Sequence, residues 1–290
     1  MHRWMAMSVK AAALVAVLAV TALGVAALRW RTSTEDLRAQ LRAMAQPPAA
    51  PVYSARDVES LPAPVRRYFA VALSEGQPLA THAGITWEGE FNMGRPGADR
   101  WAPFTAVQDV VPGAPGMVWD ARIAMPPALT VRVRDAFVNG QGSMRGAVLG
   151  VVTVVNRSGT PAMAVASLQR YLAEAPWYPT ALLPASGVGW TAIDDTRALA
   201  TISVGAVRAS VEFRFGADGL PASVFVPDRL YDDGRTPPTA HPWEGRNLSF
   251  MTRDGMQIPD RAIVEWHLPG GAYAYWRARP RDLVYEWAPG

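Results

Sequence analysis

The chain has no cysteine, which excludes disulfides, thiolate catalysis, cysteine-ligated metals and a lipid-modified cysteine behind a leader. That absence fits an oxidising and a reducing compartment alike. Histidine is almost as scarce. The four residues His2, His82, His241 and His267 do not stand at metal-ligand spacing with one another or with a nearby carboxylate pair, so neither a metal nor any other cofactor is expected. There is no Gly-x-Ser-x-Gly elbow and no phosphate-binding loop, and Gly140-Gln141-Gly142 reads as turn chemistry, which leaves serine hydrolysis and nucleotide binding without support. Charge of one sign is also missing. The 28 basic and 25 acidic residues nearly cancel, to a formal +3, and the basic ones are scattered, whereas a phosphate-tracking stripe would cluster them. Nucleic acid is excluded as a partner.

What the sequence does have is apolar residues, half of the total, with only 18% charged; that composition describes a folded chain with a substantial core. The longest uncharged stretch is Ala11 to Leu28, preceded by Arg3 and Lys10 and followed by Arg29 and Arg31. With Ser8 and Val9 it reaches the roughly 20 residues that a membrane-spanning helix needs. A cleaved signal peptide is the alternative, since Ala22 and Gly24 offer small residues to a peptidase. The run is longer than the usual apolar region of a leader, and an uncleaved anchor is the preferred reading. Arg29, Arg31, Arg38 and Arg42 behind the run oppose Arg3, Lys10 and the amino terminus ahead of it, so charge allows either topology. The expectation is a single-pass protein of the bacterial inner membrane with its large domain outside the cytoplasm.

Residues 1–32 are thus the anchor or signal segment, and 33–56 a stalk and Pro/Ala-rich linker. Thr34 to Met44 can prolong the helix until Gln46-Pro47-Pro48-Ala49-Ala50-Pro51 breaks it, because proline lacks the amide donor and clashes with the preceding turn. Residues 57–290 are long enough for one domain. In it, Pro64 suits an early helical position and Val65, Tyr68, Phe69, Ala72 and Leu73 share one face. From Thr81 to Asn156 the period becomes two: Leu129, Val131 and Val133 oppose Thr130, Arg132 and Arg134, and Asn139-Gly140 supplies a hairpin turn. Met117, Trp119, Ala121, Ile123 and Met125 form an apolar row opposite Asp120 and Arg122. A second helix opens with Thr160 as cap and Pro161 at its first position, carries Leu168, Tyr171, Leu172 and Ala175 on one stripe, and stops at Pro176. Strands then resume, most regularly over Val207–Phe215.

Helix, four or five strands, helix, then about six strands is not a βαβ alternation. It specifies an α+β fold with a large antiparallel sheet. Two helices cannot cover so many strands laid flat, so the sheet is expected to curl into an incomplete barrel with the helices across its concave side. Arg67-Tyr68-Phe69 and Arg170-Tyr171-Leu172 each stand before a strand run, and a duplication into halves 57–156 and 157–290 is one reading.

Several segments resemble an uncharacterised family of bacterial membrane-anchored proteins. They are Leu61-Pro62-Ala63-Pro64-Val65-Arg66-Arg67-Tyr68-Phe69, Gly116 to Arg122, Asp135 to Gly142, Arg170 to Pro184 with its Trp177-Tyr178-Pro179-Thr180-Ala181-Leu182-Leu183-Pro184 core, Pro242-Trp243-Glu244-Gly245, and Gly255-Met256-Gln257-Ile258-Pro259. The resemblance covers most of residues 57–280 and implies membrane anchoring, with no activity to carry over. The expected half-barrel is similar to the lipoprotein-carrier folds of the bacterial envelope, a likeness of fold that says little about chemistry.

Candidate site residues are few. Arg170 and Glu174 stand one helical turn apart beside Trp177, where a carboxylate next to an aromatic ring can act as an acid or bind a ligand; an i, i+4 ion pair is the plainer account. Asp120 and Arg122 share a strand face next to Trp119, and would line a pocket if that face were the concave one. Asp194-Asp195 follows a strand end and reads first as a turn. Trp119, Asp120, Arg122, Arg170, Glu174 and Trp177 are therefore the candidate ligand contacts, in a half-barrel whose Trp and Met residues suit a lipophilic or amphipathic small molecule. A docking role on another envelope protein is the second reading. An enzyme using Glu174, Asp120 or Asp194 as acid or base is the third, and requires at least two of them to converge.

Overall fold

The computed structural model describes residues 2–48, 50–127, 129–232 and 237–289; Ala49 of the proline-rich linker lies outside them. Helix α1 spans His2–Ala43, α2 Ala63–Ala72 and α3 Pro161–Glu174. Six strands follow α2: β1 Ala80–Asn92, β2 Trp101–Val111, β3 Gly116–Met125, β4 Leu129–Val138, β5 Gln141–Val148 and β6 Val152–Ser158. Seven more follow α3: β7 Gly189–Ala192, β8 Arg197–Val204, β9 Val207–Phe215, β10 Pro221–Tyr231, β11 Thr239–Arg253, β12 Met256–Leu268 and β13 Gly271–Trp287. All belong to one 13-stranded sheet in the order β6-β5-β4-β3-β2-β1-β13-β12-β11-β10-β9-β8-β7, with every pairing antiparallel. Helices α2 and α3 each precede a meander, both meanders run in the same direction across the sheet, and β1 against β13 joins them.

A sheet this wide has to curl to bury one face. The concave face receives Val65, Tyr68 and Phe69 of α2 and Leu168, Tyr171 and Leu172 of α3, all fully buried. Thr160 caps α3 by accepting from the Met163 amide, and Pro161 sits in its first turn. The helix lies inside the curl, touching β5 on one side and β9 and β10 on the other. At Gly142 the strand comes so near that a Cβ would stand 2.5 Å from the Met163 carbonyl oxygen, so only glycine allows this approach.

The stalk differs from expectation in its surroundings. Helix α1 continues unbroken to Ala43, but its last turns lie against the outer face of β2–β4 and are part of the folded body. Trp30 and Thr34 are 2% exposed and Leu41 is fully buried, and Leu37 and Leu41 pack against Val111, Val118, Ala136 and Val138. Trp30 Nε1 donates to Asp120 Oδ1 at 2.8 Å, Arg134 donates to Ser33 and Thr34, and Arg38 meets Asp109 at 2.7 Å. The domain boundary expected at residue 57 is also blurred by pairing of the linker's end, where the Leu79 amide donates to the Pro51 carbonyl at 2.8 Å. Ahead of this docked portion, one helix among the described residues is long and apolar enough to cross a membrane, within Ala12–Ala43, with a mean hydropathy of 2.2 and none of that window buried.

Candidate functional site

Strand register builds the site. Ile85, Gln108, Trp119 and Asp135 are direct cross-strand neighbours on β1 to β4 and share the concave face. Gln108 is fully buried, Trp119 3% exposed and Asp135 5% exposed. Helix α3 sets Arg170 and Glu174 over this row at i, i+4. Arg170 donates to Glu174 and to Asp135, both at 2.7 Å, and its guanidinium lies 4.8 Å from the Trp119 ring. Gln108 Nε2 donates to Glu174 Oε2 at 2.6 Å, and Gln108 Oε1 accepts from Trp87 Nε1 at 2.8 Å. Trp87 in turn packs edge-on against Trp177 at 5.0 Å, whose Nε1 donates to the Pro259 carbonyl. One connected chain thus runs from Trp177 through Trp87, Gln108 and Glu174 to Arg170, Asp135 and Trp119.

The other half of the sheet adds Arg229. Its guanidinium sits 4.6 Å from the Trp243 ring, and Trp243 Nε1 donates to the Tyr275 hydroxyl at 3.0 Å. Ring contacts then continue from Tyr275 to Phe91 and Trp266, from Trp266 to Tyr231, and from Phe91 through Phe104 back to Trp119. This aromatic belt connects the two arginines. Phe91, Tyr231, Trp266 and Tyr275 are half-buried, so the belt faces solvent on one side.

The two arginines differ electrostatically. Burial works against the Arg170 charge, but Glu174 and Asp135 outweigh it and hold that guanidinium more firmly protonated than usual. For Arg229 burial prevails and its pKa is lowered, despite help from Tyr275, Asp135 and Glu174. Tyr275 is pushed upward, first by burial. Seven enclosed side-chain polar atoms have no hydrogen-bond partner among the described residues, and three of them belong to this site: Trp119 Nε1, Asp135 Oδ1 and an Arg229 guanidinium nitrogen. Such atoms are few in folded proteins and each calls for an explanation.

Of the residues picked out from the sequence, the fold brings Trp119, Arg170, Glu174 and Trp177 into this chain. Asp120 and Arg122 are on the opposite, outer face, because β-strand side chains alternate: Asp120 is bonded by Trp30 and Arg122 is exposed. Asp194 lies in an exposed turn, accepts from Thr196 and pairs with Arg197, and is lowered to about 2, chiefly by the Thr196 backbone bond. Glu174, Asp120 and Asp194 therefore do not converge. Gln108, Asp135 and Arg229 were missed. Asp135 carried a usable signal, as a charge on the apolar side of β4 in phase with Phe137, whereas Arg229 follows a register shift between Val226 and Arg229 that breaks the alternation.

One group of potential metal ligands exists among the described residues, on the outer face of β11 and β12. Glu244, Glu265 and His267 bring one donor atom each within 4.8 Å of one another, which corrects the expectation that no histidine stands beside a carboxylate pair. The signal was Glu265-x-His267 on one strand face; Glu244 arrives through cross-strand pairing with Glu265. Arg214 and Arg246 already pair with the two carboxylates.

Among the depressions that the described residues form on the surface are two of about 290 and 300 Å³, one lined by Trp190, Thr201 and Arg208 and one by Leu37, Gln40, Val138 and Ser143. Neither lies within the curl, where α3 and the large side chains of Trp87, Phe137 and Tyr171 occupy the interior.

Residues 59–285 match a family of unknown function, DUF6920, and the chain belongs to that family. No curated protein matches it. Among solved structures, it is similar to a LolA superfamily protein of Nitrosomonas europaea at 9% identity, covering 78% of this chain and 93% of that one with a TM-score of 0.39. A β-barrel-like protein of a domain of unknown function, DUF1849, from Brucella abortus is 9% identical, with 72% and 98% covered and a TM-score of 0.23.

Proposed function

We propose that this is a single-pass, membrane-anchored binding protein of the bacterial envelope, whose curved sheet takes an amphipathic ligand with an acidic head. The supporting observation is Arg229: a guanidinium with an enclosed, unbonded nitrogen, stacked on Trp243 at the half-exposed end of an aromatic belt. An anionic head bonded to Arg229 offsets the cost of burying that charge, and the apolar body lies along Tyr231, Trp266 and Tyr275. Because the interior is filled, entry requires these rings to shift. Asp135, Arg170 and Glu174 are bonded to one another and fix the floor of the site. Ala11–Leu28 holds the domain at the membrane, and the reading puts that domain on the extracytoplasmic side.

The test is titration of the full-length protein in detergent with oleate and with an uncharged analogue, followed by tryptophan fluorescence. Saturable binding of oleate that weakens about ten-fold or more in Arg229→Gln is expected, since bonds to a charged group are worth about 1.5–3 kcal/mol. Equal binding by the variant, or none by either protein, contradicts the proposal. The filled interior favours a second reading, docking on another envelope protein.

A further inference from the structure

Outside α1, 12 large hydrophobic side chains are exposed among the described residues, and five of them, Leu129, Leu149, Val151, Val152 and Val154, fall in two neighbouring segments, the start of β4 and the β5–β6 hairpin. The hairpin lies against the anchor helix. A Cβ built on Gly150 would be 4.0 Å from the Ala26 carbonyl oxygen and 3.8 Å from the Arg132 side chain. Ala26 is inside the uncharged run that ends at Leu28. At about 1.5 Å per residue, the hairpin tip therefore stands about 4–5 Å on the membrane side of Arg29 if the helix runs along the membrane normal. Arg132 faces Arg122 directly across β3 and β4, and neither has a carboxylate partner among the described residues. Two guanidiniums in that position repel each other unless an anion is shared.

We propose that the β5–β6 hairpin and the start of β4 lie in the interface of the bilayer that α1 enters, with Arg122 and Arg132 held against anionic phospholipid headgroups. The inference rests on the anchoring reading above. Valine and leucine entering the headgroup boundary, combined with cationic side chains just behind them, make up the chemistry of interfacial attachment. It would orient the curled sheet on the membrane at a second point besides the helix.

With no native cysteine, single labels are clean. Full-length Leu18→Cys, Val152→Cys and Leu248→Cys, each carrying an environment-sensitive fluorophore, are reconstituted in phosphatidylcholine vesicles with and without phosphatidylglycerol, and quenched by nitroxide lipids. Leu18 and Leu248 are 60% and 59% exposed in the fold and serve as anchor and solvent references. The expected result is deep quenching at 18, none at 248, and at 152 a blue-shifted emission quenched by shallow nitroxides, weaker without phosphatidylglycerol and in Arg122→Gln/Arg132→Gln. A label at 152 that behaves like 248 while 18 is quenched overturns the interfacial proposal alone. Failure of quenching at 18 overturns the anchor as well.

Discussion

The two halves of the sheet treat their outer faces differently. Over β2–β4 the outer face is covered by the end of α1, and the strands there are buried on both sides: the last residues of β2, the first of β3 and the last of β4 form unbroken buried runs. Over β8–β12 no helix lies outside among the described residues, and the face carries a series of ion pairs linking Arg197, Glu212, Arg214 and Glu244, with Arg246 and Glu265 paired beside them. Strand β9 accordingly alternates without a break. The lesson is that loss of strict alternation in Asp109-Val110-Val111 or Asp135-Ala136-Phe137-Val138 marks a strand covered twice, and it points to the segment that covers it.

That contrast can be broken experimentally. The largest effect is expected inside the curl: Arg170→Met leaves Asp135 and Glu174 buried without their cation and costs about 3–5 kcal/mol, read as a lower urea midpoint. Trp30→Ala removes a 2%-exposed side chain and its bond to Asp120, and an effect of about 3 kcal/mol is expected from such a truncation. Hydrogen exchange should accelerate in β2–β4 and stay unchanged in β9–β12; uniform acceleration would show that the halves are not separable.

Acid should find the covered half first. Burial opposes ionisation of Asp109, but its bond to His82 and the charges of Arg38 and Arg42 outweigh that and lower its pKa. A carboxyl depressed in this way stabilises the fold at every pH above its unfolded value, and the contribution disappears as pH falls through the folded value. Arg38→Ala should therefore move the acid-unfolding midpoint to higher pH, while leaving stability near pH 7 less affected than Trp30→Ala does. On the uncovered half, Arg246→Ala, whose side chain is 45% exposed, should cost less than about 1 kcal/mol. The smallest effect belongs to Tyr68→Phe. Its hydroxyl is enclosed and unbonded, so removal should be neutral or slightly stabilising.

Much of the architecture was legible in the sequence. The faces of α2 and α3, the caps at Thr160 and Pro161, and the curled antiparallel sheet follow from period and turn chemistry alone. The strand lengths did not. Strands β12 and β13 run far beyond Ala262–Leu268 and Ala272–Ala278, the segments that alternation predicts, and pass through Pro259 and Pro280, because register shifts beside both prolines accommodate the missing amide. The site was half legible for a similar reason. Arg170 and Glu174 are readable as a helical pair and Trp177 as their neighbour, but Gln108 and Asp135 join them through cross-strand register, and Arg229 comes from the far end of the sheet. Asp120 and Arg122 were attractive as a charged pair, but strand alternation puts both on the outer face, where Trp30 of α1 takes up Asp120.

The most direct measurement of the central claim is native mass spectrometry of the full-length protein released from membrane mimetics, comparing the wild type with Arg229→Gln. The account predicts a reproducible adduct on the wild type that releases an acidic amphiphile on denaturation and is depleted from the variant. A bare mass for both proteins, unchanged after incubation with acidic lipids, would contradict it and move the assignment to docking on a partner protein.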